Sequence, residues 1–342
     1  MNGLTPRQRL VLGLVVREYV ASAAPVGSKA LVGAYGLDIS PATIRNEMAL
    51  LEQAGYLYQP HTSAGRVPSV QGYRYFVQHL MGDVELPPVE RRTIRHQFHQ
   101  VRQGEMEQWL RLSATILARK AGVAALVTPP APAQSHFRHT ELLPLYRSRG
   151  MLVLILEEDI VEQQIFTLEQ PLSSGALART SDQLNRLFTG CTTDEVRIAC
   201  PSLSGFARQV ADRVVQIMAA QDAQLGGQLF HEGLMVMLEQ PEFADGEAIR
   251  RLIDLLERPQ FLRQVLAQAL TRSGVQVLIG GEGRWEALKG YGMVLARYGV
   301  DGYALGALGL LGPTRMPYER AISTVRYVAE LMSELVRGSY RG

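Results

Sequence analysis

Lysine is almost missing from this 342-residue chain, where Lys29, Lys120 and Lys289 stand against 32 arginines. Cysteine is as scarce. Cys191 and Cys200 are the two present, and they lack metal-ligand spacing, so buried or idle thiols in a reducing compartment are expected. No run of about 18 apolar residues occurs, which excludes a membrane-spanning helix of the usual kind. The first residues also lack the apolar centre of a signal peptide. These absences together predict a cytoplasmic protein with no membrane partner. Internal repeats and low-complexity tracts are likewise missing.

What remains is the composition of a globular protein, 46% hydrophobic and long enough for two or three domains. The net charge of +2 is weak evidence for a polyanionic partner, but its distribution is uneven. Residues 1–120 carry 14 Lys/Arg against 9 Asp/Glu, whereas the other 222 carry 21 against 24. Positive charge therefore accumulates in the N-terminal third, where neutralising phosphates would drive affinity.

The most informative stretch is residues 40–74. Ser40 can accept a hydrogen bond from a first helical turn, and Pro41 suits the first position because its missing donor would be unpaired there. Ile44, Met48 and Leu51 recur at i, i+4 and i+7, which predicts one buried stripe. Thr43, Arg45 and Asn46 then face elsewhere, and Gly55 can end the helix in a left-handed conformation. Arginine pairs bidentately with guanine and asparagine with adenine, while the small Ala42 and Ala49 permit close approach. Alone, this window also fits an ordinary solvated helix.

The flanks narrow the choice. Thr5 and Pro6 predict a first helix to about Tyr19, with Leu10, Leu14 and Val15 on its buried stripe. Pro25-Val26-Gly27-Ser28 breaks it, Ser28 is expected to cap a second helix through about Tyr35, and Gly36 permits the next turn. Tyr56 to Tyr58 reads as a strand, Pro60 to Gly65 as a turn, and Arg66-Val67 as the return, ended by Pro68. His61, Thr62, Ser63 and Arg66 cluster at that turn. Three helices and a two-stranded wing describe a winged helix-turn-helix, whose third helix enters a major groove. The candidate DNA-binding residues are Ser28, Lys29, Ser40, Thr43, Arg45, Asn46, His61, Thr62, Ser63 and Arg66.

Residues 4–80 resemble the DNA-binding domain of the heat-inducible transcription repressor family, HrcA. The matching stretches are Pro25-Val26-Gly27-Ser28, Ala42-Thr43-Ile44-Arg45-Asn46-Glu47-Met48 and Pro60-His61-Thr62-Ser63-Ala64-Gly65-Arg66-Val67-Pro68-Ser69. A weaker similarity reaches the C-terminus, where Gly312-Pro313-Thr314-Arg315-Met316 precedes an amphipathic helix. The resemblance implies a repressor of chaperone operons of the groE and dnaK type. It further implies binding to a CIRCE-type inverted repeat as a homodimer, activity sustained by the GroEL chaperonin, and no cofactor.

Beyond the first 81 residues the pattern is coarser. Gly82 to Pro88 reads as a linker and 89–120 as a long helix interrupted at Gly104. Its stripe, Ile94, Phe98, Val101, Trp109, Leu112 and Ile116, suits packing on its own domain or on a second subunit. Leu142–Tyr146, Met151–Leu156 and Ile160–Leu168 read as an antiparallel meander. Strands return at Val275–Ile279, Tyr291–Tyr298 and Ala304–Leu311, followed by a helix from Tyr318 to Val336. Helices are expected at 181–189, 202–222 and 246–257. The fold class is therefore α+β: a winged helix-turn-helix at 1–81, a linker and helix at 82–120, and an α+β domain in two parts, 121–175 and 266–342. The resemblance implies that this domain is GAF-like and that the insertion at 176–265 dimerises.

Catalysis finds little support. Gly280-Gly281-Glu282-Gly283 lacks the remaining features of a dinucleotide or P-loop motif. His231-Glu232 begins a metalloprotease pattern, but position 235 is Met. His136 and His139 have ligand spacing only on a helix, in a segment that reads as strand or loop. Ser204-Gly205 is not a nucleophile elbow. A DNA-binding sensor with a small ligand in an apolar pocket is a further alternative, but no converging polar groups identify a ligand.

Overall fold

The computed structural model describes residues 3–62, 64–101, 105–132, 135–146, 149–157, 160–167, 172–223, 229–270, 272–280, 285–301 and 303–339. The chain divides into two compact units: residues 1–129, 228–299 and 306–342 form one, and 130–227 with 300–305 the other.

The first unit begins with three helices, α1 (Pro6–Ser22), α2 (Ser28–Tyr35) and α3 (Pro41–Gln53). Thr5 and Gln8 form a reciprocal capping box at the start of α1, which satisfies two otherwise free N–H groups. Val11, Leu12, Val15 and Val16 are fully buried, whereas Leu10 is 45% exposed and lies off the expected stripe. The run from Leu10 to Val16 is apolar on more than one face, so its periodicity alone could not select the buried side. Ser28 is the first helical residue of α2. The cap position belongs to Gly27, and no side chain caps it. A two-stranded hairpin follows, β1 (Leu57–Tyr58) against β2 (Val67–Pro68), and then α4 (Val70–Tyr75), which continues as a wider helical turn over Phe76–Leu80.

Two helices occupy the span predicted as one, α5 (Pro88–His99) and α6 (Met106–Ala121). Gly104 itself lies outside the described residues. Ile94 and Phe98 of α5 and Trp109, Leu110 and Ile116 of α6 are buried within this chain. Lys120 Nζ and Arg320 Nη2 both donate to Glu90 Oε2, at 2.8 and 3.1 Å, tying α5 to the end of α6 and to the C-terminal helix.

The sheet of this unit includes β3 (Ala124–Val127), a strand that the sequence pattern did not reveal. In the second unit, β4 (Ala131–Pro132) pairs with residues 304–305. The meander there is β5 (Phe137–Leu145), β6 (Arg149–Leu156) and β7 (Val161–Thr167). Three helices follow in that unit, α7 (Ser174–Phe188), α8 (Thr193–Ala199) and α9 (Gly205–Ala223). Back in the first unit come β8 (Phe230–Glu232), α10 (Leu234–Leu238), α11 (Gly246–Leu256), α12 (Pro259–Leu270) and β9 (Val275–Ile279). The chain closes with β10 (Tyr291–Val300), β11 (Ala304–Pro313) and α13 (Tyr318–Ser339). The first unit's strands run in the order β8-β3-β11-β10-β9.

The meander does not join that sheet. β5, β6 and β7 make a sheet of their own, and Leu152, Leu154, Leu156 and Phe166 bury one face of it in a core shared with α7 and α9. The expected boundaries at 176 and 265 thus fall inside compact units, which divide instead at 129/130 and 227/228. Period-2 alternation identifies a strand but not the sheet it enters.

Arg315 joins three distant parts of the first unit. Its guanidinium grips Glu242 through Nε and Nη2, at 2.5 and 3.0 Å, while Nη1 donates to the Val20 carbonyl of α1 at 2.7 Å. Its side chain is only 13% exposed. Around it, Arg17 pairs with Glu319 at 3.0 Å, Arg74 donates to the Val277 carbonyl, and the rings of Tyr73 and Tyr318 lie 5.9 Å apart. Burial holds the Tyr73 phenol well above its usual range. Arg315→Met is expected to cost about 2 kcal/mol or more, the scale of at least one hydrogen bond to a charged group. The check is a denaturant titration in which Arg315→Met with Glu242→Met loses less than the sum of the single variants.

Candidate nucleic-acid interface

The third helix starts as its sequence demands. Ser40 Oγ accepts from the Thr43 N–H at 3.1 Å and lies 2.9 Å from the Thr43 hydroxyl, with Pro41 at the first position. Ile44, Met48 and Leu51 are buried, which turns Arg45 and Asn46 outward. Ala54 ends the helix and Gly55 follows in the left-handed region at φ 81°. The side chains of Arg45 and Asn46 make no hydrogen bond or ion pair among the described residues. Lys29 and His61 are also exposed and uncommitted there.

The hairpin is held by contacts that local sequence does not announce. Val26 and Arg66 exchange both backbone hydrogen bonds, at 2.9 and 2.8 Å, so the α1–α2 connector adds a third short rung beside β2. A Cβ on Gly65 would lie 2.4 Å from the carbonyl carbon and oxygen of Val26, so only glycine permits this approach. Gln59 Nε2 donates to the carbonyls of Thr62 and Ala64, both at 2.9 Å, and fixes the turn. Sequence reasoning missed Gln59, and an amide beside a proline-led turn is its only local signal.

The candidate residues therefore separate. Arg45, Thr62, Arg66 and Ser28 border one cleft of about 470 Å³ between α3, the start of α2 and the hairpin. Ser28 is buried in it, while Thr62 is exposed. Ser40 and the half-buried Thr43 spend their hydroxyls on the helix start. Arg66 departs most from its neighbours. Its Nη2 meets Glu52 at 2.8 Å and its side chain is 19% exposed, so it serves to anchor the hairpin to α3. Ser63 lies outside the described residues.

The catalytic patterns meet a different geometry. His231 and Glu232 lie in the strand β8, where the helical spacing of a metalloprotease motif has no meaning, and His139 is in β5. No cluster of His, Cys, Asp and Glu suited to a metal occurs among the described residues. Burial raises the thiols of Cys191 and Cys200 above their ordinary range. Residues 281–284 of the glycine-rich stretch lie outside the described residues. No described helix is long and apolar enough to cross a membrane.

The HrcA protein C terminal domain matches residues 107–322. A heat-inducible transcription repressor HrcA from Roseiflexus castenholzii is 42% identical over 98% of this chain and 96% of its own length. The chain belongs to the HrcA family. Family proteins of the same description from Chloroflexus aggregans and Herpetosiphon aurantiacus are each 41% identical, covering 99% and 98% of this chain and 95% and 96% of their own lengths. A crystal structure of a hypothetical protein shares the fold, with a TM-score of 0.57 and 24% identity over 98% of both chains. Members of this family are transcription repressors and not enzymes, in keeping with the lack of support for catalysis in the sequence.

Gly65→Ala tests the hairpin clamp. The added methyl is expected to push the turn off Val26 at a cost of about 1–3 kcal/mol, the usual range for overpacking. In hydrogen exchange, the Val26 and Arg66 amides should lose protection before those of α3.

Proposed function

We propose that the three helices and hairpin act as a winged helix-turn-helix that represses transcription by occupying an inverted-repeat operator of CIRCE type at chaperone operons. The observation that carries the reading is the outward pair Arg45 and Asn46. They stand uncommitted on a helix whose opposite face is buried, beside a cleft that includes Thr62 of the hairpin turn. In this arrangement α3 reads base edges in the major groove. Lys29, His61, Thr62 and Ser63 meet the phosphates or the minor groove. Ser28, Ser40 and Thr43 contribute through the helix starts that they shape, and Arg66 holds the hairpin in place. Arg45→Ala is expected to cost about 1–3 kcal/mol on the preferred repeat and less on a scrambled duplex. Equal losses on both duplexes would reduce Arg45 to a phosphate contact.

A two-fold operator calls for two copies of the chain. We place the dimer contact in the 130–227 unit, around the open face of its meander. The register aligns Leu143, Met151 and Ile165 in one row and, beyond the mixed row Glu141, Val153 and Gln163, places Ile155 with Val161 and His139 on the same face. Val161 is 54% exposed and Ile165 60% exposed, an apolar face suited to a second copy. The sheet of the other unit, with α6 and α13, is the GAF-like part of this reading. Ile165→Asp is expected to yield monomers in sedimentation at micromolar concentration. A stable dimer of that variant moves the contact elsewhere.

The GroEL dependence rests on folding topology. β3 pairs with β11 across most of the chain, with Ala124 opposite Leu311, and such non-local pairing delays closure while apolar segments are exposed. A chain that needs the chaperonin to mature loses repression when unfolded clients occupy it. Dilution from denaturant is expected to restore operator binding only with GroEL and ATP. Full recovery without them at growth temperature excludes this route.

A further inference from the structure

A second group of arginines lies outside the proposed reading helix. Arg91, Arg92 and Arg95 of α5 sit at i, i+1 and i+4, and together with Pro88 and Tyr327 they border a cleft of about 390 Å³. Arg91 is held in place from three sides. Its guanidinium lies over the Tyr327 ring at 5.6 Å, it pairs with Glu85 at 2.6 Å, and its carbonyl accepts from the Tyr327 hydroxyl at 2.9 Å.

The three acids that precede or open α5 are engaged. Asp83 meets Arg326, Glu85 meets Arg91, and Glu90 serves both Lys120 and Arg320. Arg92 and Arg95 are exposed and have no acceptor among the described residues. Like charges three and four residues apart on a helix repel one another, so folding does not by itself call for this arrangement. Their spacing along the helix, about 5–6 Å between side-chain origins, suits a ligand with repeated negative charge. Ile94 and Phe98 bury one face of α5, while Arg92 and Arg95 remain exposed on the rest of the helix surface.

We propose that this face of α5 grips the phosphate backbone of duplex DNA beyond the operator half-site, as a sequence-independent contact separate from α3 and the hairpin. The proposal rests on the DNA-binding reading above, and it adds a flanking contact to it. Charge complementarity identifies the occupant: two unpaired guanidiniums beside a third that is fixed against an aromatic ring, in a protein that acts on a polyanion. Arg92 and Arg95 would raise affinity for any flanking sequence and leave base preference to α3.

The test compares two duplexes, one limited to the inverted repeat and one extended by about one helical turn (10 bp) of unrelated sequence on each side. Binding of the full chain is titrated with salt. For the long duplex, Arg92→Ser with Arg95→Ser is expected to reduce the salt slope by about 3.6 units, two contacts in each of two bound copies at about 0.9 per phosphate contact, while the short duplex is unaffected. Arg92→Lys with Arg95→Lys should restore the slope, because point charges suffice for phosphate. An unchanged slope on the long duplex overturns the proposal, and so does an equal loss on both duplexes. Failure of the underlying reading looks different: the wild-type chain would bind a scrambled duplex as well as the repeat.

Discussion

The arrangement of the first unit depends on one guanidinium. Arg315 reaches the last turn of α1, the short segment that carries Gln240 and Glu242, and its own loop after β11, three places far apart in the chain. No basic residue of α1 lies in that helix's last turn, so the charge that its C-terminal carbonyls favour comes from elsewhere in the unit. A planar fork serves this purpose where an ammonium would not, since it satisfies a carboxylate and a carbonyl at once. The Arg17–Glu319 pair and the Tyr73–Tyr318 contact then gather at the same seam. The three N-terminal helices are thereby packed onto the sheet-bearing part of the unit.

This sorting of arginines gives a physical division between structure and recognition. Arg17, Arg66 and Arg315 meet carboxylates, and Arg74 meets a backbone carbonyl. Arg45, Arg92 and Arg95 find no such partner among the described residues. An arginine with a geometric partner at hand contributes to folding. One held outward on a helix whose other face is buried is available to a ligand. In a chain with three lysines, nearly all of this division falls on one residue type.

Local signals were readable in the sequence, and long-range ones were not. Ser40, Pro41 and the Ile44–Met48–Leu51 stripe specify α3 without reference to the rest of the chain, and strand β9 was legible to its ends. Strand β3 was missed because Ala124–Val127 is four apolar residues directly after a helix, too short to show a period. The meander is legible as strands, but alternation carries no address: grouped by sequence with the late strands in one α+β domain, it forms a sheet of its own. At the candidate interface, the free Arg45 and Asn46 followed from helix phase. The capture of Arg66 by Glu52 depends on how the hairpin folds back on α3, and no spacing rule encodes that.

The close approach of Gly65 to Val26 makes the connector and the hairpin one mechanical piece. Residues 25–27 are on the route from α1 to α2, yet their backbone sets how far the turn can stand from α3. Variation in this short connector would therefore change the width of the cleft while leaving Arg45 and Asn46 of α3 unaltered. Relatives that share the same α3 would then present it beside clefts of different width, set by a loop that lies outside the helix.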